Sequence, residues 1–167
     1  MSKTSSGKVI SVNMSPEGGV PKYPQPQVFI DQYGISEDYH SGEINKHLKC
    51  GATEPNVPNS RPISIVSLEV LNEVSTLLGI DLKPGDLAEN ITIDKLGDLS
   101  DLVEGDNIQI GKEVVLQVSG QNKPCGILNV YHESVVKSLV SKRGITATVI
   151  KTGIVKPEDN CHIIKGK

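Results

Sequence analysis

EGDNIQIGKEVVLQVSGQNKPCG, residues 104–126, decides the fold. Ile108 and Ile110 alternate with polar residues, and Val114, Leu116 and Val118 repeat the pattern after Gly111-Lys112. A period of two turns one face of a strand to a core and the other to water. Gly111-Lys112 between two such runs reads as a tight hairpin. The second strand enters a polar turn and reaches Lys123-Pro124-Cys125. An amphipathic helix is predicted beyond it, with Leu128, Val135, Val136, Leu139 and Val140 on its apolar face and Arg143-Gly144 as its end. A cysteine is thus set at a helix mouth beside a lysine. Only a thiolate acts as nucleophile or metal ligand, and both neighbours favour that form in general.

Outward from this stretch, strands are predicted at 7–15, 28–31, around Ile63 and Ile65, from Ile91 to Asp94, in ITATVIKTG (145–153) and in NCHII (160–164). One further helix follows Ser67 as N-cap, with Val70, Leu71, Val74, Leu77 and Leu78 at helical spacing and Gly79 as its stop. PEGGVPKYPQPQ (16–27) reads as an exposed loop, and the stretch to Arg61 as a long irregular one. Short strands between Gly and Pro turns, with two helices, predict a mainly β fold: a closed or nearly closed β-barrel with two packed α-helices. A parallel α/β sheet needs helices between strands throughout, and they are absent. Residues 1–167 are read as a single domain.

The composition narrows the function classes. Hydrophobic residues make up 37% and charged residues 22%, as in an ordinary soluble globule. A net charge of -3 gives no footprint for nucleic acid or anionic membrane. One Phe, four Tyr and no Trp leave little for base stacking. No apolar run nears the roughly 18 residues of a membrane helix, and the N-terminus lacks the apolar core of a signal peptide. Cys50, Cys125 and Cys161 make an odd set without a CxxC pair, which points to a reduced, cytoplasmic protein.

GKVISVNMS, GISEDYH, SRPISIVSLEVL, LKPGDLAENITI, LVEGDNIQIG, NKPCGIL and GITATVIKTGIVKPEDN, in this order, resemble the MOSC domain, the C-terminal module of molybdenum-cofactor sulfurases and a standalone bacterial protein. The resemblance implies a β-barrel whose reactive residue is the cysteine of the Pro-Cys pair, Cys125. That cysteine would carry sulfur as a persulfide toward the molybdenum cofactor, or ligate molybdenum as a thiolate; both use a soft sulfur open to a ligand. The chain departs from the pattern at Glu37-Asp38-Tyr39-His40, where a glycine is lost, and at Glu158-Asp159. No pyridoxal phosphate is expected in this chain alone, so a sulfur donor such as a cysteine desulfurase is expected as partner. The acceptors would be molybdenum-cofactor enzymes or biosynthesis proteins.

Each candidate has a plain reading beside the functional one. Cys125 is either the reactive thiol or a buried cysteine without chemistry. Cys161 is read as core and Cys50 as a loop thiol. Asp38, His40, His47 and Cys50 match no strong metal spacing and read as solvated loop residues, except that His40 falls in the family-like loop and would face the ligand. Arg61 suits a cofactor phosphate or a rim ion pair. Asn90 would bind a pterin edge or close a turn. Lys123 is read as solvated, with an influence on the thiolate. The loop from Gly34 to Ser60 is expected to fold over Cys125 as a lid. The leading expectation is a sulfur carrier of sulfurtransferase type. Its alternatives are a cofactor-binding module, a molybdenum-dependent reductase component, or a domain that kept the fold and lost the chemistry.

Overall fold

The computed structural model describes residues 5–45 and 57–166. In chain order its elements are β1 (Ser6–Met14), β2 (Tyr23–Gln25), β3 (Val28–Asp31), β4 (Gly34–Ile35), β5 (Ile63–Ser67) and α1 (Leu68–Leu78). There follow β6 (Ile91–Asp94), β7 (Asn107–Ile110), β8 (Val114–Gln121), α2 (Val135–Ser138), β9 (Ile145–Lys151), β10 (Gly153–Val155) and β11 (Asn160–Ile164). Seven strands run β1-β6-β5-β9-β8-β7-β11 and return to β1, so the sheet closes into a barrel. Closure removes the unpaired edges that an open sheet exposes. β2 hangs from β1 outside the ring, and β3, β4 and β10 make a small second sheet. β5 and β6 pair in parallel, joined through α1, while the other described pairs are antiparallel.

The alternation read in the hairpin decides the interior. Ile108, Ile110, Val114, Leu116 and Val118 are buried and meet Val9, Ile65, Ile93 and Ala147 from the other strands. Full burial of one such aliphatic side chain is worth about 1.5–3 kcal/mol, and these supply the core that scarce aromatics do not. A second apolar cluster lies between α1 and the segment after Cys125, with Val70, Leu71, Val74, Leu128, Val135 and Leu139 at its centre. Among the described residues no helix is long and apolar enough to cross a membrane.

Three local expectations change. Ile110 pairs with Val114, so the hairpin turn holds three residues, Gly111 to Glu113, rather than two. Leu77 and Val140, placed on the apolar faces of the two helices, are 69% and 61% exposed. The helix after Cys125 is also broken. A 3-10 helix (Gly126–Val130) is followed by a bend and only then by the four-residue α2. Asn129 Oδ1 accepts the Val136 amide at 3.0 Å, and His132 Nδ1 accepts the Ser134 amide at 3.0 Å. Side chains that bond nearby backbone in this way offer it an alternative to the helical ladder. Such short turns carry little aligned dipole, so helix placement gives Cys125 no appreciable field.

Candidate functional site

The starts of β5, β6 and β9 and the end of β8 bound a cavity of about 40 Å³ lined by His40, Arg61, Ser64, Ala88, Asn90, Asn122, Arg143 and Thr146. It carries two guanidiniums and, among the described residues, no carboxylate. Arg61 donates from Nη2 to Asn122 Oδ1 at 2.9 Å. Arg143 is 8% exposed and donates from Nη1 to the Lys123 carbonyl at 2.6 Å and from Nη2 to the Leu87 carbonyl at 3.2 Å. Its Nε is buried and has no hydrogen-bond partner. Gly144 makes the placement of Arg143 attainable: its φ is +86°, and a Cβ there would collide with the Ile65 carbonyl.

Behind His40 lies a buried ion pair. Lys22 Nζ donates to Asp38 Oδ2 at 2.6 Å and Oδ1 at 2.8 Å, and stands 3.0 Å from His40 Nδ1. Both side chains are all but fully buried. An ammonium has three protons and no lone pair, and here it has three acceptors. His40 Nδ1 is therefore an acceptor, and the imidazole proton sits on Nε2. Asp38 is held in turn by the Ser15 amide at 3.0 Å and the His40 amide at 3.1 Å. Burial draws the Lys22 ammonium below its usual value, while the charge and hydrogen bonds of Asp38 oppose the shift. The Lys22 amide donates to the Gly85 carbonyl at 2.8 Å, and a Cβ on Gly85 would collide with the Lys22 carbonyl, so this turn packs against Lys22 only as glycine.

Glu89 is fully buried beside this frame. It accepts the Gly85 amide at 2.6 Å, the Thr92 hydroxyl at 2.9 Å and the Leu87 amide at 3.1 Å. Burial nevertheless pushes its carboxyl up to about 7.

Cys125 is exposed. Burial lowers the pKa of both Arg61 and Arg143, and the charge of Cys125 opposes the shift in each. The turn that leads to Cys125 is bound to both guanidiniums, through the Asn122 side chain to Arg61 and the Lys123 carbonyl to Arg143. Lys123 is exposed, and its carbonyl rather than its ammonium takes part, as the acceptor for Arg143. His40, Arg61 and Asn90 all line the cavity. Asn90 is committed to the frame: its Oδ1 accepts the Ser64 amide at 3.0 Å and its Nδ2 donates to the Asn13 carbonyl at 3.3 Å. Cys161 is buried in the barrel interior. Asp38 is no solvated loop residue; it is the buried partner of Lys22. His47, Cys50 and the middle of the expected lid from Gly34 to Ser60 lie outside the described residues. Among the described residues no three of His, Cys, Asp and Glu gather as a metal site.

Sequence reasoning misses Arg143, Asn122 and Lys22. Arg143-Gly144 reads as a helix ending, Asn122 as turn polarity, and Lys22 as part of a Pro- and Gly-rich loop. No local pattern distinguishes a buried lysine from a solvated one.

The MOSC domain family model matches residues 38–162. The chain belongs to the MOSC family. A Bacillus subtilis protein described as "Putative metal-sulfur cluster biosynthesis proteins YuaD" is 30% identical over 152 residues, covering 80% of this chain and 78% of the relative. The crystal structure of the YuaD protein from Bacillus subtilis superposes with a TM-score of 0.88 over the whole of both chains, at 24% identity. YiiM from Geobacillus stearothermophilus superposes with a TM-score of 0.71 at 20% identity, over 95% of this MOSC chain and 75% of its own. These superpositions show that the MOSC barrel is shared.

Proposed function

We propose that this MOSC protein carries sulfur in molybdenum-cofactor or related metal–sulfur metabolism, with Cys125 as the carrier. The observation that bears the proposal is one exposed thiol at the end of a turn that two cavity-lining guanidiniums hold, Arg61 by the Asn122 side chain and Arg143 by the Lys123 carbonyl. Family membership and the printed description of YuaD support the same class of work. In the loading step the Cys125 thiolate attacks the terminal sulfur of a donor persulfide. A new S–S bond forms at Cys125, the donor's S–S bond breaks, and its electron pair leaves with the donor thiolate. Arg61 and Arg143 hold the anionic part of whatever exchanges sulfur with Cys125. His40, its proton on Nε2, adds a neutral donor among the lining groups, and Asn90 keeps the strands that carry them in register.

The residues fit only part of a molybdenum cofactor. Two guanidiniums suit its phosphate and the exposed Cys125 sulfur suits the metal, but Asn90, the residue expected at a pterin edge, is committed to the Ser64 amide and the Asn13 carbonyl. When bound, the cofactor would supply a redox-active metal centre. Cys125 would then hold the metal and Arg61 with Arg143 the phosphate.

Incubation with a cysteine desulfurase and cysteine tests the carrier role. Intact mass should rise by one sulfur atom on the native protein, return to baseline with thiol reductant, and stay unchanged in Cys125→Ser. No gain on a folded, reduced native protein removes the proposal.

A further inference from the structure

Arg143 is a buried cation whose hydrogen-bond partners among the described residues are neutral carbonyls. Two of its nitrogens are held on the carbonyls of Lys123 and Leu87, which fixes the plane of the guanidinium. Arg61 faces the same space, and the two like charges repel: the charge of Arg61 lowers the pKa of Arg143. Among the described residues no carboxylate lines the cavity to neutralise them. Such a pair is relieved by a bound anion, and a guanidinium fork suits an oxyanion.

The lining narrows the anion. The cavity measures about 40 Å³. The Ser64 and Thr146 hydroxyls and the Asn122 amide complete a polar lining. A compact tetrahedral oxyanion suits this lining.

Position narrows it again, because Cys125 ends the turn whose Asn122 and Lys123 bind Arg61 and Arg143. We propose that the cavity is a binding site for a small tetrahedral sulfur oxyanion, and that a thiosulfate-type oxyanion held there loads sulfur directly onto Cys125. This rests on the reading of Cys125 as a sulfur carrier. The Cys125 thiolate attacks the outer, sulfane sulfur of thiosulfate. A Cys125 S–S bond forms, the bond from that sulfur to the sulfonate sulfur breaks, and its electron pair leaves with sulfite. A persulfide anion and sulfite carry the same total charge as the thiolate and thiosulfate, so no added oxidant or reductant is needed.

Sulfate, which has no sulfur to transfer, serves as the binding probe, and thiosulfate as the reaction probe. Millimolar sulfate should raise the melting temperature of the native protein, as a ligand of the folded state does. Arg61→Gln should weaken sulfate binding by about tenfold or more, the worth of one charge-assisted contact. Arg143→Lys, which keeps a charge but loses the fork, should weaken it as well. Thiosulfate should add one sulfur atom to the intact mass and release one equivalent of sulfite, with neither change in Cys125→Ser. Sulfate binding without sulfur gain from thiosulfate overturns the donor assignment, and failure of native protein to bind sulfate overturns the site. If a cysteine desulfurase loads Cys125 while thiosulfate does not, this inference fails and the carrier role stands. If neither donor loads it, both fail.

Discussion

Lys22 is an ammonium removed from water and held by one carboxylate and one imidazole. A buried ion pair of this kind adds little beyond what an apolar pair would give, but breaking it leaves a charge without a partner. Lys22→Met is therefore expected to destabilise the fold by about 3–5 kcal/mol in urea unfolding. A loss below about 1 kcal/mol, the worth of a surface pair, would mean that Asp38 is rehydrated at no great cost. The same lysine sets the tautomer of His40. Nitrogen NMR of the native protein should show an acceptor-type Nδ1 and a protonated Nε2, and the preference should weaken in Lys22→Met. A protonated Nδ1 in the native protein would sink the assignment. His40, Arg61 and Asn90 could be picked from the sequence because a family-like order marks their positions. Lys22, Arg143 and Asn122 could not, since what distinguishes them is burial and partners contributed from 16 to 61 residues away.

The turn from Pro84 to Asn90 is the element in which that framework is most exposed to pH. Its Glu89 carboxyl, raised to about 7 by burial against the pull of its hydrogen bonds, keeps a proton in the folded state that an ordinary unfolded glutamate loses near 4.5. Between these values the folded chain binds more protons, so this group makes stability fall as pH rises through the interval, with no further change above it. Urea midpoints taken from pH 5 to pH 8 should show the decline, and Glu89→Gln should lack this part of it. The amide also turns an N–H toward one of the donors that Glu89 now accepts, at a cost of about 1–3 kcal/mol. Equal pH slopes in the two proteins would place the titration elsewhere. At this scale the sequence is readable where period and packing agree, as in β1, β8 and the first turns of α1. It misleads after Cys125, where Leu128, Val135 and Leu139 are buried at helical spacing while Asn129 and His132 interrupt the helix between them. β2, β4 and β10 are two or three residues long, too short for alternation to register.

The whole molecule depends on a seam that periodicity suggests only in outline. Alternation predicts strands with one buried face, and closure then follows from pairing the first strand with the last. Gly7 lies opposite Cys161, and the Val9 amide donates to the Asp159 carbonyl at 2.8 Å. Cys161 faces the interior from this seam, fully buried, and burial with the nearby Asp94 charge pushes its thiol up to about 12. It therefore reports on closure. If the barrel opens only as a unit, Cys161 becomes reactive only when the chain unfolds globally. With about 5–15 kcal/mol typical of a domain, that slows labelling by more than a thousandfold relative to an unfolded thiol. In a Cys50→Ser/Cys125→Ser background, Cys161 alkylation should be limited by the same opening free energy as the slowest amides of β8 and β9. Faster labelling at Cys161 than those amides allow would mean that the β1–β11 seam parts on its own. The barrel would then behave as a sheet with a latch rather than as one cooperative ring.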